Sequence, residues 1–262
     1  DQPYLAAFDV RTGELVESFR PVLDDQVKAL AVLPDGRLAV GGNFLNANGS
    51  PAPAFVVLDP ETGATDPGST TRVINYTGGL PPRVRSLDVQ GDYLYLGGAF
   101  THLTGGDYPR ESYARNLGRI RWDSGTPDTT FNPLLNGTVV SLDASPDGSR
   151  VYAAGYFDLG PEAIRAGAFR TDDHGSVIPW HVDFSIPGGH EGRLAYQQAV
   201  REVDDRVWLG GSEHMLFSYD RETLAELSTN ITIQGGDFQA IHPSGGHVYA
   251  GCHCSESNYE GA

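Results

Sequence analysis

The sequence predicts an all-β protein, and three observations support this prediction. Glycine (33 residues) and proline (17 residues) are abundant in a chain of 262, and both residues interrupt long regular elements. No segment shows the spacing of apolar residues that an amphipathic helix requires. Short segments of alternating apolar residues end instead at tight turns. Together these features predict many short strands.

A repeated hairpin motif is the most informative pattern. Each copy has an apolar segment, a tight turn such as Pro34-Asp35-Gly36, and a second β-rich segment that ends in small residues. The copies span residues 27–44, 84–100, 139–157, 200–214 and 238–254. The second small residue of each copy is Gly42, Gly98, Gly155, Gly211 and Gly251, and the first four recur about every 56 residues. The chain therefore encodes five β-hairpins.

A second motif alternates with the first and completes the repeat. It consists of an apolar strand, a turn of the type Asp-x-x-Thr-Gly and a further strand, as in "VVLDPETGATD" and "LFSYDRETLAEL". Each full period therefore contains four strands, which is the unit of a β-propeller blade. The sequence predicts a β-propeller of four-stranded blades.

The order of the two motifs along the chain predicts how the ring of propeller blades closes. The chain opens with the second motif and ends with the first, so the two half-blades can complete a fifth blade and remove exposed sheet edges. We therefore predict one domain over residues 1–262. It has half-blades at 1–22 and 237–262, and blades at about 27–70, 84–135, 139–185 and 197–230. A fragment of a larger propeller or a larger protein is the alternative that the sequence leaves open.

The motif V-x-x-L…PDG…L-x-V-G-G-x-F, followed by an L-D-x-x-T-G hairpin, resembles the bacterial delta-60 repeat propellers. More distantly, its double glycine is similar to that of Kelch repeats. The resemblance covers essentially the whole chain and implies a secreted or cell-surface bacterial protein. The single lysine beside 17 arginines favours a high-GC genome. The residues that match are structural: Gly41, Gly42, Gly97, Gly98, Gly155, Gly210, Gly211, Phe44, Phe100 and Phe157.

Charge and hydropathy exclude several classes of partner. The formal net charge is −16, which argues against sequence-independent binding to nucleic acid and against an anionic membrane surface. No apolar run is long enough for a membrane-spanning helix. We predict no nucleic acid partner and no membrane insertion.

Three common signatures of nucleotide-dependent and hydrolytic enzymes are absent from the sequence. The paired glycines fit neither dinucleotide-binding nor P-loop patterns, and no G-x-S-x-G motif occurs. The acidic pairs, which begin at Asp24, Asp172 and Asp204, lie in predicted turns. We therefore predict no catalytic residue and no cofactor. A polysaccharide-active hydrolase or lyase stays an alternative, as does structural calcium, for which no ligands can be named.

A long loop at residues 101–115 carries the predicted ligand-binding residues. Tyrosine and arginine are frequent at recognition sites, and aromatic rings beside polar groups also suit sugars. The candidates are His102, Asp107, Tyr108, Arg110 and Tyr113, with Glu111 and Arg115 in the same loop. His190 lies in a glycine-rich stretch, and His214 lies where the fourth repeat has lost most of its loop. The leading hypothesis is a non-catalytic module that binds a glycan or a protein through rim loops; a spacer domain is the third hypothesis.

The two cysteines lie in the last hairpin, on either side of His253. With Gly251 aligned on the repeat, His253 takes the place of the packing phenylalanines. If the strand continues, both cysteines point to one face and His253 to the other. We predict a disulfide between Cys252 and Cys254, while two unpaired thiols and a metal site remain open.

Overall fold

A computed structural model of the chain describes residues 2–184, 196–212, 214–232 and 236–254. These residues form strands and no helix. The strands are β1 (Val27–Val32), β2 (Leu38–Gly42), β3 (Asn46–Ala47), β4 (Ser50–Pro51), β5 (Phe55–Leu58), β6 (Arg72–Ile74), β7 (Arg83–Gln90), β8 (Tyr93–Ala99), β9 (His102–Gly105), β10 (Tyr108–Tyr113), β11 (Leu117–Arg121), β12 (Val139–Ala144), β13 (Arg150–Asp158), β14 (Ile164–Arg170), β15 (Val177–Ile178), β16 (Gln197–Val203), β17 (Arg206–Gly211), β18 (Met215–Asp220), β19 (Glu226–Ile231), β20 (Phe238–Ser244) and β21 (His247–Cys252).

The strands divide between two compact units, residues 1–134 and residues 135–262. The first unit contains the sheets β1-β2-β5, β7-β8-β11 and β10-β9-β6 and the small hairpin β3-β4. The second contains β12-β13-β14-β15, β16-β17-β18-β19 and the two-stranded sheet β20-β21. Neighbouring strands pair antiparallel throughout. The prediction of an all-β fold is confirmed.

The two main sheets of the first unit differ from the predicted four strands. Their fourth strand is reduced to the isolated bridges Leu58↔Thr65 and Ile120↔Pro127. Proline has no N–H to donate to a ladder, and Pro67 and Pro127 lie in these two segments. In the first sheet a side chain replaces part of the missing ladder, since the Val57 N–H donates to Ser69 Oγ at 2.9 Å.

The five predicted hairpins share one register and one bulge. In β1-β2, Val27 faces Gly42 and Ala29 faces Gly41, so one residue of the first strand is skipped. The same shift follows the pairs Val84↔Gly98, Val139↔Gly155, Gln197↔Gly211 and Phe238↔Cys252. The sequence-based alignment of the fifth hairpin is therefore wrong by one residue. Cys252, rather than Gly251, occupies the position of Gly42.

A close backbone approach explains the glycine at this position. A Cβ on Gly98 would overlap the carbonyl oxygen of Arg83, the residue just before Val84. In three of the other hairpins the equivalent carbonyl accepts a hydrogen bond from the next N–H: Asn43 to Gln26 at 2.9 Å, Tyr156 to Thr138 at 2.9 Å and Ser212 to Tyr196 at 3.0 Å. In the fifth hairpin, where Cys252 supplies a Cβ, the His253 N–H lies 3.4 Å from the Asp237 oxygen. We call this close approach, between the carbonyl before the first strand's bulge and the end of the second strand, the bulge clamp.

Within each unit the sheets pack face to face. Phe55 and Val57 of the first sheet share a core with Leu94 and Leu96 of the second. In the second unit, Tyr152 and Trp180 pack in the same way against sheet β16-β17-β18-β19, which in turn packs on Phe238 of β20. The first strands also lie side by side, β1 with β7, β12 with β16 and β16 with β20. Central strands such as β8 are buried on both faces for this reason.

Candidate functional site

The loop that carries the predicted ligand residues forms its own sheet in the first unit. β9 and β10 arise between β8 and β11, and β6 comes from the segment between β5 and β7. Ile74 pairs with His102, and His102 pairs with Tyr113. Val73, Leu103 and Ser112 are buried on one face of this sheet. Because side chains alternate along a strand, His102 and Tyr113 lie on the opposite face.

Three aromatic side chains meet on this outer face. The His102 ring centroid lies 5.3 Å from that of Tyr76 and 5.1 Å from that of Tyr113. Tyr76 is 63% exposed and Tyr113 is 47% exposed, so the Tyr76–His102–Tyr113 cluster presents aromatic surface to solvent. Such an exposed group of rings differs from single scattered apolar residues, which need no explanation.

Hydrogen bonds hold the cluster in place. The Tyr76 hydroxyl donates to Glu111 Oε1 at 2.7 Å. That hydrogen bond and the charge of the carboxylate raise the pKa of Tyr76, because both disfavour the phenolate. His102 Nδ1 lies 2.9 Å from Thr101 Oγ1. The cluster is therefore an aromatic surface with one carboxylate at its edge.

The structure brings together only some of the predicted ligand-binding residues. His102 and Tyr113 join the cluster, with Glu111 beside them. Asp107 and Tyr108 lie at the far end of the β9-β10 hairpin, where Tyr108 pairs with Gly105 and the Asp107 N–H donates to Thr126. No hydrogen bond or ring contact among the described residues links these two, or Arg110, to the cluster. His190 lies outside the described residues.

Sequence reasoning missed Tyr76. It precedes the long loop and reaches the cluster because β6 pairs with β9. No local spacing signals a pairing between separate segments. The ligand-binding roles predicted for Asp107, Tyr108, Arg110 and His190 stay predictions.

His214 has a backbone role that the sequence did not reveal. It adopts a left-handed conformation, with φ of 63°, immediately before β18, and its carbonyl accepts the Thr232 N–H at 2.9 Å. Left-handed residues also occur where the chain enters the third strand of the other sheets, at Ala54, Asn116 and Arg165. The conformation thus belongs to the repeat, and a ligand role for His214 remains a prediction.

The last hairpin joins its two cysteines. Cys252 and Cys254 are paired as a disulfide whose Cα atoms are 5.3 Å apart. The corrected register places His253 level with Asn43, and its Nδ1 lies 3.1 Å from Gln239 Nε2. Cys254, rather than His253, therefore takes the place of Phe44 and its equivalents. The chemical state of the two thiols in solution stays a prediction.

Two buried carboxylates in the second unit bear on the enzyme alternative. The side chain of Glu202 is 2% exposed, accepts a hydrogen bond from the Tyr152 hydroxyl at 2.9 Å, and pairs with Arg221 at 3.4 Å. Burial raises the pKa of Glu202, and its two partners oppose that effect. Asp143 accepts the Glu202 N–H at 2.6 Å and pairs with Arg201. Both carboxylates are buried, and each has hydrogen-bond and arginine partners, as in interior polar networks.

The described residues contain neither a metal-binding cluster nor a membrane-spanning helix. Within the described ranges, no group of three or more His, Cys, Asp or Glu side chains is arranged to hold a metal ion. In the same part of the chain, no helix has the length and apolar character needed to span a membrane.

Comparison with known proteins defines the class of fold. No protein-family model matches the chain, and no curated protein does. Among solved structures, it is similar to the crystal structure of the Cps50 (Swd1) β-propeller domain of Myceliophteria thermophila, with 13% identity and a TM-score of 0.58. The match covers 88% of this chain and 64% of that one, so the chain spans less than two thirds of its length. At this identity the likeness shows the fold alone: the chain has a β-propeller fold.

Proposed function

We propose that the chain is a non-catalytic binding module of a secreted or cell-surface protein, and that it binds a glycan through the Tyr76–His102–Tyr113 cluster. The exposed cluster is the observation that carries the proposal. The resemblance to bacterial delta-60 repeat propellers supports the location. A protein partner on the same surface is the alternative.

The cluster has the properties that ligand binding favours. Tyr76 and Tyr113 are exposed, yet each contacts the ring of His102, and Glu111 fixes the Tyr76 hydroxyl. Binding therefore orders few additional side-chain torsions, which keeps the entropic cost low. The apolar faces of sugar rings can lie on the aromatic surface, while Glu111 accepts hydrogen bonds from sugar hydroxyls.

Replacing Tyr113 with alanine is expected to weaken glycan binding about tenfold or more, since it removes one wall of the cluster. A glycan array with the intact chain identifies the ligand, and titration calorimetry compares the variants. Tyr249→Ala is the matched control, because Tyr249 is 58% exposed on β21 in the second unit. Equal affinities for Tyr113→Ala and the unsubstituted chain would contradict the proposal. Binding of a protein but of no glycan would assign the site to the alternative.

We also propose that residues 4–17 supply the third and fourth strands of the sheet begun by β20-β21, which gives five blades. Residues 7–16 already have the conformation of such a strand pair, with a bridge between Phe8 and Leu15. The Asp9 carboxylate accepts the N–H groups of Arg11 and Thr12. The same turn, at Asp59 and Asp220, links the third and fourth strands of two other blades.

The exposure of two apolar side chains in residues 4–17 supports the same proposal. Phe8 is 60% exposed and Leu15 is 38% exposed, as expected of strands that need a partner. β21 pairs only with β20 among the described residues, so one of its edges is unpaired. An unpaired edge is a template for strand addition.

A chain that lacks residues 1–20 should therefore bind a synthetic peptide of residues 2–20 and regain thermal stability. Differential scanning fluorimetry with added peptide measures this gain. A peptide with Phe8 and Leu15 both replaced by aspartate is the control, because it keeps the turn and loses the apolar contacts. An unchanged melting temperature on truncation, or equal rescue by both peptides, would contradict closure.

A further inference from the structure

We infer that a cavity beside β6 binds the carboxylate of an acidic saccharide. The inference rests on the proposed function and names the ligand class. The cavity lies in the first unit, between the β3-β4 hairpin, β5 and the segment 65–72. Its volume of about 360 Å³ falls at the lower end of the range of small-molecule sites, roughly 300–1,000 Å³. It therefore suits one sugar residue rather than a large cofactor.

The lining of the cavity offers hydrogen-bond donors and no carboxylate. The lining residues include Thr65, Ser69 and Thr70, which carry hydroxyls, and Arg72, which carries a guanidinium, beside the apolar Pro51 and Phe55. No aspartate or glutamate lines it, although the chain has 34 acidic residues. A site of this composition selects a ligand rich in acceptor oxygens that also has an apolar face.

The hydroxyls are oriented by the fold to donate. Thr65 Oγ1 accepts from Asn48 Nδ2 at 3.0 Å, Ser69 Oγ from the Val57 N–H at 2.9 Å, and Thr70 Oγ1 from the Gly106 N–H at 2.8 Å. A hydroxyl has one donor hydrogen besides its acceptor lone pairs. In the described part of the chain these three hydrogens have no acceptor, so they remain available to ligand oxygens.

Arg72 supplies the charge that distinguishes an acidic from a neutral ligand. Within the described ranges, no carboxylate pairs with its guanidinium and no hydrogen bond engages it. Asp66, the acidic residue nearest in sequence, is bonded to Arg37 at 3.3 Å. A guanidinium can hold a carboxylate through two parallel hydrogen bonds, which are stronger than bonds between neutral groups. Arg72 is thus the anchor for the anionic group.

The net charge of −16 does not prevent this binding. Charges farther away than about 8 Å are largely screened at physiological ionic strength, whereas Arg72 acts at contact distance. The distributed negative charge slows the approach of any anion, so the site selects by local contacts rather than by long-range attraction.

Arg72 connects the cavity with the sheet that carries the aromatic cluster. Arg72 pairs with Thr104, two residues along the strands from the pair Ile74↔His102. Because positions two residues apart share a face, Arg72 and His102 lie on the same side of the sheet, roughly 7 Å apart along the strands. A short oligosaccharide can therefore place one acidic unit in the cavity and another unit on the cluster.

The test uses tetragalacturonate and its methyl ester, in which each carboxylate is replaced by an uncharged ester group of slightly larger size. Calorimetry with the intact chain should show binding of the acid and at least tenfold weaker binding of the ester. Arg72→Gln should abolish this difference. Arg170→Gln, which changes an exposed strand arginine in the second unit, should preserve it.

Equal affinities for acid and ester, no binding of either, or an unchanged preference in Arg72→Gln would overturn the inference. Equal competition by a tetraglutamate peptide would also overturn it, because the site would then recognise carboxylates without the sugar. If Tyr113→Ala weakens the binding of a glycan and Arg72→Gln does not, the proposed function stands and only the cavity assignment is overturned.

Discussion

Gly98→Ala is expected to lower the free energy of unfolding by about 3 kcal/mol, because the new Cβ would overlap the carbonyl oxygen of Arg83. The neighbouring atoms are backbone, so no flexible side chain can move aside. The overlap between the new Cβ and the Arg83 carbonyl can be removed only if the bulge clamp opens. Such an opening would separate β7 from β8 at the end of the sheet. Urea denaturation, monitored by tryptophan fluorescence, measures the change.

Gly251→Ala is the matched control for this prediction. Gly251 lies in the equivalent hairpin of the last sheet, one position before the clamp, and the nearest atom to an added Cβ is Ala240 Cβ at 3.8 Å. Its backbone is not left-handed, and replacing a strand glycine reduces the entropy lost on folding. We expect a change of about 0.5 kcal/mol or less. Similar losses for both substitutions would show that the collision at Gly98 is not the cause.

Arg119→Met is the second substitution with a large expected effect. Arg119 is 7% exposed on β11, pairs with Asp128 at 2.8 Å, and donates to the Tyr95 hydroxyl at 3.0 Å. Its guanidinium also lies 4.1 Å from the ring centroid of Tyr93 and 4.7 Å from that of Phe131. Burial alone would raise the pKa of Asp128, but hydrogen bonds from Thr130 and Arg119 outweigh it and lower the pKa.

Removing Arg119 leaves the Asp128 carboxylate buried without its partner, which is expected to cost about 3 kcal/mol of unfolding free energy. The double variant Arg119→Met/Asp128→Asn should recover part of the loss, because it also removes the buried charge. Arg121→Met is the control on the same strand. Its side chain is 42% exposed, and its pairs with Asp92 and Asp123 are open to solvent, so we expect about 0.5 kcal/mol. A loss as large at Arg121 as at Arg119 would contradict this account.

The sequence predicted the hairpins because their turns and alternation are local. It misplaced the fifth by one residue, because "AGC" offers a single glycine, and this glycine was aligned with the second small residue of the other copies. The strand β16 begins at Gln197, close to the predicted start of that blade, whereas the aligned hairpin motif begins only at Val200. Polar residues at the start of the strand interrupt the apolar motif, although Gln197 is fully buried.

The sequence predicted only those residues of the candidate site that lie in one continuous segment. His102 and Tyr113 lie in one loop, and their pairing across β9-β10 brings them together. Tyr76 and Arg72 come from another segment and join the site through β6, and the cavity is lined by two further stretches of chain. Contacts between distant segments follow from strand pairing, which one sequence does not specify.

The bulge clamp marks the boundary between the strand framework and a loop whose length differs among the repeats. In the first four copies, which carry glycine, it lies where the second strand ends, and a left-handed residue such as Ala54 or Asn116 returns the chain to the third strand. Between these two fixed points the loop is free to lengthen into a hairpin such as β9-β10 or to shrink to the few residues that separate β17 from β18. New ligand specificity can therefore arise by loop insertion without loss of the framework, as it does in scaffolds that carry variable binding loops.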